Sequence, residues 1–320
     1  MPDLSQHTLK DFAIAPSYLP QKDALLSLIA GFDYDGTEIY RARNVLKVFD
    51  SPRDSHHKLV IKSFASPNLV QKISYTFFRT TKCRRSFENA ATLSSLGIEN
   101  PTAVDYVEYY RWGFFDKGFY TCEFIPDTLQ IRDLMQTDSP DADLLQALAQ
   151  YILNLHNQGV EHLDLSAGNI IYHQDTASIY HFYLVDLNRI IFHPKPLTTE
   201  QRVHNLRKLI MEHDHGYLAT CYAGLYSADP QESLAMATQI RQESKDFYLK
   251  RMKIKSIKRT YRKYGLFSAE MREVRRFYAL RRLRIHKQGE LSPPSPDEKA
   301  LYHKRIAAED SGFLYTRFYR

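Results

Sequence analysis

The stretch His162-Leu-Asp-Leu-Ser-Ala-Gly-Asn169, followed by Asp186 at the end of the apolar run Phe182-Tyr-Leu-Val185, decides how the rest of this chain is read. An Asp five residues ahead of an Asn on one tight loop can set a carboxylate against a hydroxyl while the amide oxygen faces a metal. A second Asp at a strand end then completes a magnesium site. Oxygens converging on a triphosphate in this way are what phosphoryl transfer requires, because the metal needs hard ligands and the developing charge must be neutralised. Asp164, Asn169 and Asp186 are the first candidate site residues. His-x-Asp pairs and Asn residues also cap ordinary turns, so the flanking sequence has to agree.

Upstream, Ser139-Pro140-Asp141 combines an N-cap residue with Pro at the first helical position, and Leu145, Leu148, Ile152 and Leu155 recur at helical spacing until Gly159. A buried helix is expected to deliver the chain to the loop. Downstream, Ile170-Ile-Tyr172 and Phe182-Tyr-Leu-Val185 read as two short strands, which puts Asp186 at a strand end.

The N-terminal half supplies a cation and an acid. Leu59-Val-Ile-Lys62 is an alternating strand much like the Val-Ala-Ile-Lys strand of kinases, and Lys62 is the expected phosphate ligand. Cys83 to Leu96 has helical periodicity through Phe87, Ala90 and Leu93 and ends at Gly97, so Glu88 is expected to reach Lys62 from that helix. Thr37 to Arg43 and Val45 to Phe49 read as a hairpin turning at Asn44, the expected lid over the nucleotide. No glycine lies between Gly36 and Gly97, so Arg41, Arg43 and Asn44 are candidates to replace backbone amides as donors. A strand pair around Trp112-Gly113 leads to a connector in which backbone groups of Glu123 to Ile125 could meet adenine.

Taken together, the segments Arg79 to Ala90, Leu96 to Pro101, His156 to Asn169 and Val185 to Arg189 resemble the lipopolysaccharide core kinase family, in its Bacteroidetes version, over about residues 35 to 210. The resemblance implies an α+β, bilobed, protein-kinase-like fold with a small β-rich N-lobe and a mainly helical C-lobe. It implies ATP-dependent phosphorylation of a Kdo or heptose hydroxyl of the inner core, with Asp164 as base, Asn169 and Asp186 as Mg²⁺ ligands and Lys62 with Glu88 as the phosphate-binding ion pair. His162 supports the loop. Asn188 stands where protein kinases keep the Gly of Asp-Phe-Gly, and no Ala-Pro-Glu follows, so no peptide platform of the protein-kinase kind is expected.

Three cysteines without metal spacing suit a reducing compartment, and no segment has the length of a membrane span or a leader, so a cytoplasmic protein is expected. Residues 250 to 287 carry fifteen Lys and Arg against Glu270 and Glu273, leaving the remaining chain net acidic although the whole is +6. Such a basic helical arm suits the anionic inner-membrane surface or lipid A phosphates, and nucleic acid on electrostatics alone. The expected organisation is an N-lobe over 1–125, a C-lobe over 126–249 and a basic extension over 250–320. His213-Asp-His215 lacks a further ligand and carries no metal site. Gly289 to Asp297 reads as a linker. A kinase for a protein or soluble metabolite, or a non-catalytic kinase-like scaffold, are the other readings.

Overall fold

A computed structural model describes residues 4–54, 56–134, 141–209 and 217–276. Ser139 and Pro140, the His213-Asp-His215 triplet, residues 277–287 of the basic arm, the linker and the last ten residues lie outside the described residues. Two compact units divide the chain, one spanning 1–244 and the other 245–320.

In the first unit the strand-forming sequences make a six-stranded antiparallel sheet. Its strands are β1 (Thr8–Ile14), β2 (Thr37–Arg41), β3 (Val45–Asp50), β4 (Lys58–Ser63), β5 (Ala103–Arg111) and β6 (Phe114–Glu123), in the order β1-β5-β6-β4-β3-β2. Alternation along β4 buries Leu59 and Ile61 and leaves Val60 and Lys62 half-buried, and Lys62 lies opposite Tyr120 of β6 and Leu46 of β3. The expected hairpin over 37–49 and the strand pair around Trp112-Gly113 both form.

One face of the sheet is closed by α1 (Lys22–Ala30), whose Ile29 joins Phe32, Phe49, Ile61, Val107 and Phe119 in a core. Lys47 crosses to the chain that leaves this helix, donating to the carbonyls of Phe32 at 2.6 Å and Asp35 at 2.8 Å. A cation at a helix C-terminus satisfies carbonyls that have no partner within the helix. The other face carries α2 (Leu69–Phe77) and α3 (Lys82–Ser95), and Cys83 of α3 packs with Phe64, Tyr106, Phe115 and Tyr120. Ala90 and Leu93 turn instead into the helical half.

That half contains β7 (Leu129–Gln130), α4 (Ile131–Leu134), α5 (Ala142–Asn157), β8 (Val160–His162), β9 (Ile170–Gln174), β10 (Tyr180–Leu184), β11 (Ile190–Phe192), α6 (Thr199–Leu206) and α7 (Tyr217–Tyr226). The helix before the loop forms as its periodicity predicts, with Leu145, Leu148, Ile152 and Leu155 all buried. Its cap is Asp141 rather than Ser139: the carboxylate accepts from the amides of Asp143 and Leu144. The helix stops at Gly159, whose φ of 74° and close approach to the His193 carbonyl exclude any side chain. β8 pairs with β11 and β9 with β10, two ribbons that carry the loop and Asp186. Helix α8 (Pro230–Tyr264) packs Met236, Ala237 and Ile240 into the helical core before running into the second unit. There Gly265, at φ 84°, ends it, and 269–276 are helical again.

Asp105 is a carboxylate buried within this sheet with one oxygen unpartnered. It is 1% exposed, Thr121 Oγ1 donates to its Oδ1 at 2.7 Å, and its Oδ2 has no partner. Burial pushes its carboxyl up to about 7. Because the folded-state value lies above the unfolded one, the fold binds more protons between about pH 4 and 7, and stability falls as pH rises through that window. Asp105→Asn, which keeps the Thr121 contact and cannot ionise, is expected to be more stable than the native chain at pH 8 and equal to it near pH 3. Urea unfolding at the two pH values measures the difference.

Candidate active site

The loop between β8 and β9 is held by its own backbone and by one buried ring. Leu165 N–H donates to the His162 carbonyl at 3.0 Å and Asn169 N–H to the Ser166 carbonyl at 2.8 Å. The His162 ring is 1% exposed and lies between two functional segments: Nδ1 accepts from Asp164 N–H at 3.2 Å and Nε2 donates to the Val185 carbonyl at 3.3 Å. Burial keeps its pKa low despite Asp186 and Asp164 nearby, so the ring is a neutral spacer. Asn169 Nδ2 donates to the Asp164 carbonyl at 2.8 Å, and Val185 N–H donates to the Asn169 carbonyl at 3.0 Å. Asp164, Asn169 and Asp186 are thereby gathered into one frame.

Behind it runs a buried polar network. Asn205 of α6 donates from Nδ2 to the His162 carbonyl at 2.9 Å and accepts at Oδ1 from His156 Nε2 at 3.2 Å. His156 Nδ1 accepts from Tyr222 Oη at 2.6 Å, and Arg202 donates to that same hydroxyl and to the Leu197 carbonyl. Burial first, and then Arg202, press the His156 pKa down to about 3 against the hydrogen bond it donates to Asn205, so this ring is neutral too. A fully paired network of this kind fixes the loop more rigidly than apolar packing would.

Asp186 sits just after β10 in the left-handed region, at φ 59° and ψ 48°, which turns its carboxylate back toward the sheet. Lys62 Nζ forms an ion pair with its Oδ1, and Asn188 Nδ2 donates to the same oxygen at 2.7 Å. Burial would raise the Asp186 pKa, but Lys62, His162 and Lys82 together hold it below the usual carboxylate range. Lys62 and Asp186, far apart in the chain, therefore meet as expected.

Glu88 does not join them. It lies on the exposed side of α3, where Arg84 Nε donates to it at 2.7 Å in an i,i+4 pair, and Arg84 also reaches Asp11. The stripe of α3 that faces the site carries Lys82, Arg85 and Asn89 instead, and Asn89 Nδ2 donates to the Leu187 carbonyl at 2.6 Å. The expected Lys62–Glu88 pair is corrected accordingly: Glu88 pairs with Arg84 on the outer side of α3, and Lys62 pairs with Asp186.

Several cations that sequence reasoning did not single out surround the carboxylates. Lys82 is half-buried, and its pKa is lowered by burial and then by Arg43, while Asp186 raises it and Arg85 and Lys62 lower it further. Arg85 is itself depressed by burial and by Arg79, with Arg189 also close. Lys208, just beyond α6, donates to Asp164 Oδ1 at 2.5 Å and to the Leu163 carbonyl at 3.2 Å, and Arg189 lies 3.8 Å from Asp164 Oδ2. Arg43, Arg85 and Lys62 all bear on Lys82, and Lys62 and Lys82 share Asp186 as their acid, an arrangement that a polyphosphate would relieve. Of the other expected lid donors, Arg41 is tied to Glu38, and Asn44 Oδ1 accepts from Ala65 N–H at 3.2 Å. At the end of β6, Glu123 Oε1 accepts from Tyr18 at 2.9 Å and the Ile125 carbonyl accepts from Thr128 at 3.2 Å.

The donor set suits a magnesium ion. Asp186 and the Asn169 Oδ1, left over once Nδ2 is engaged, are hard oxygen ligands that share a site with phosphates and water. No group of three or more His, Cys, Asp or Glu side chains able to hold a metal occurs among the described residues, so the phosphates would supply the rest.

The sequence profile of the lipopolysaccharide kinase (Kdo/WaaP) family matches residues 50–220, more than half of the chain. A search of curated proteins finds no match to the sequence. Among solved structures, "WaaP in complex with acyl carrier protein" aligns at a TM-score of 0.53 and 15% identity, over 75% of this chain and all of that one. A Rio2 kinase in an ADP/Mg²⁺-phosphoaspartate complex from Chaetomium thermophilum aligns at 0.40 and 14%, over 76% of this chain and 82% of that one. The PknI kinase domain of Mycobacterium tuberculosis, a double mutant, aligns at 0.35 and 13%, over 72% and 78%. The likeness to WaaP shows a shared fold, the bilobed, protein-kinase-like α+β arrangement expected from sequence. The chain belongs to the lipopolysaccharide kinase (Kdo/WaaP) family and is a phosphotransferase.

Because the Glu88 carboxylate pairs with Arg84 on a half-exposed surface, Glu88→Gln is expected to change phosphotransfer by no more than about fivefold, the scale of an exposed ion pair. Lys62→Met is expected to cost a hundredfold or more, roughly, since it removes the cation paired with Asp186. Steady-state kinetics on the two variants compares them directly.

Proposed function

We propose that this member of the lipopolysaccharide kinase family transfers the γ-phosphoryl group of ATP to a sugar hydroxyl, on Kdo or heptose, of the lipopolysaccharide inner core. One observation carries the reading: His162 and Asn169 bind Asp164 and the segment leading to Asp186 into a single frame, with Lys62 closing on Asp186 from the sheet.

In this reading Asp164 orients the sugar hydroxyl and takes its proton as the oxygen bonds to the γ-phosphorus. The bond between that phosphorus and the β–γ bridging oxygen breaks, and ADP leaves with the electron pair. Lys208 aims the Asp164 carboxylate and brings a positive charge to the side from which the hydroxyl attacks. Lys62, Lys82 and Arg85 hold the phosphates in place of the backbone amides of a glycine-rich loop, and Arg43 reaches them from the β2–β3 hairpin. Asn169 and Asp186 are the residues that would hold magnesium, which would supply neutralisation of the charge developing on the transferred phosphoryl group. Backbone groups of Glu123 to Ile125 face adenine.

The second unit suits delivery to an anionic surface. Lys255, Lys258, Arg259, Arg262 and Lys263 line one groove on its part of α8, and Tyr261 and Tyr264 stand exposed beside them. Basic residues near an anionic leaflet contribute about 1 kcal/mol each. No helix among the described residues is long and apolar enough to cross a membrane. Peripheral attachment at the inner membrane would bring the chain to a surface that carries lipid-linked sugar.

Asp164→Ala is expected to lower transfer to the core by about a hundredfold or more while leaving the unfolding transition in place. Mass spectrometry of core lipopolysaccharide from cells with the native or the variant gene reads the outcome. A phosphate retained on every core sugar with Asp164→Ala would overturn the assignment. Transfer to a protein or soluble metabolite but not to core sugars would move it to another kinase class.

A further inference from the structure

Between the lysine strand and α3 the chain inserts α2, and this helix is built with its faces reversed. At 100° per residue, Leu69, Val70, Ile73 and Phe77 fall on one stripe, the pattern of a helix packed on a core. Here that stripe points away from the protein: the four side chains are 71%, 76%, 40% and 64% exposed, and no residue of the helix is buried. The opposite side does the holding. Lys72 forms an ion pair with Asp116, Thr76 Oγ1 accepts from Phe115 N–H at 2.9 Å, and the Tyr75 ring meets Phe115 edge-on at 5.6 Å. A capping box formed by Asn68 and Gln71 fixes the start. Three attachments to Phe115 and Asp116 of β6 set the orientation, so the aliphatic face is displayed by construction.

The patch continues beyond the helix. Phe78 is 83% exposed, and the Phe77 ring lies 6.2 Å from Phe78 and 6.1 Å, edge-on, from Phe114. Phe114 begins β6 just after the hairpin tip, where Trp112 stands 84% exposed at φ 52° with the Arg111 guanidinium 4.4 Å over its indole. Isolated exposed apolar side chains need no explanation, but a contiguous patch of this kind marks an interaction site. Cations border it: Arg79 and Arg111 lie on these segments with Lys72 and Lys82, and the acid among them, Asp116, is buried against Lys72 and His7.

We propose that α2 and the β5–β6 hairpin tip form a membrane-docking surface that enters the anionic leaflet carrying the lipid-linked substrate. Indole and phenyl rings flanked by guanidinium and ammonium groups match the headgroup zone, where amphipathic rings and snorkelling cations both find their media. The basic rim supplies charge complementarity to acidic lipid. Residues 78–81 lead directly from the patch to Lys82 and Arg85, so docking there would bring the phosphate cluster to headgroup level. The placement of substrate rests on the sugar-kinase reading; the docking itself does not.

Trp112 is the chain's single tryptophan and reports the event directly. Full-length protein is titrated with vesicles of phosphatidylethanolamine and phosphatidylglycerol that contain no lipopolysaccharide. The expected result is a blue shift of Trp112 emission, quenching by acyl-brominated lipid, and co-sedimentation. The double variant Ile73→Asp, Phe77→Asp is expected to lose roughly a hundredfold in vesicle partitioning with unchanged unfolding, because both side chains are exposed. A second variant, Phe78→Ser, is expected to lose roughly tenfold. The double variant should keep transfer to delipidated core oligosaccharide and lose transfer to lipopolysaccharide in vesicles. An unshifted spectrum, variants that bind like the native chain, an equal shift on adding acyl carrier protein without lipid, or a concentration-dependent shift in lipid-free protein would each overturn the proposal. Vesicle binding without transfer to either acceptor would overturn the sugar-kinase reading and leave the docking surface standing.

Discussion

The contact between Lys62 and Asp186 holds the two halves of the first unit to one purpose. Lys62 arrives on the fourth strand of the sheet, and Asp186 at the end of a short ribbon in the helical half. Neither charge is comfortable alone, since both are largely withdrawn from water, and removing one partner would leave the other unpaired in a medium that penalises it. The left-handed backbone at Asp186 is a cost that the surrounding frame must over-determine. His162 does this from below through the Val185 carbonyl, and Asn188 from the side. A nucleotide with its metal would inherit a lysine and a carboxylate already facing each other, and would compete with their direct pairing.

The site divides into a part that is rigid and a part that is electrostatically unsatisfied. Around Asp164, His162, Asn205, His156, Tyr222 and Arg202 form a chain in which donors and acceptors are matched and both rings are neutral. That network fixes where Asp164 points without placing a competing charge beneath it. Around Lys82 the reverse holds: Lys82 and Arg85 lose proton affinity to burial and to neighbouring cations. Repulsion of this kind destabilises the empty site and is discharged when an anion enters, so part of the binding free energy is stored in the unliganded fold.

Sequence made the architecture legible wherever a motif was short in range. The loop, its preceding helix, the Lys62 strand and the strand leading to Asp186 are each specified by periodicity and turn chemistry within a dozen or so residues, and they formed. Glu88 failed because helical spacing sets which residues share a face but not which face meets a given strand. That phase is decided by Cys83, Ser86, Ala90 and Leu93 finding two different cores. Lys208 was invisible for a related reason: it reaches Asp164 only because α6 folds back under the loop, a placement no local pattern encodes. Lys82 and Arg85 lay inside a segment already quoted, but as surface-like basic residues they carried no signal until burial was known.

Helix α2 shows the same limit from the other direction. Its aliphatic stripe has the spacing of a core helix, and a reading from periodicity alone would bury it. What turns it outward is the chemistry of the residues between: a lysine for which a buried aspartate waits, a threonine hydroxyl that takes the Phe115 amide, and a tyrosine whose ring fits against Phe115. Turning the helix by half a circle would bury four aliphatic and aromatic side chains, worth about 1.5–3 kcal/mol apiece. It would also strand Asp116 without Lys72 and leave the Phe115 amide unpaired, penalties of similar size. With those terms opposed, the displayed orientation need gain little from the fold itself, and the apolar stripe keeps its transfer free energy for an apolar medium supplied from outside.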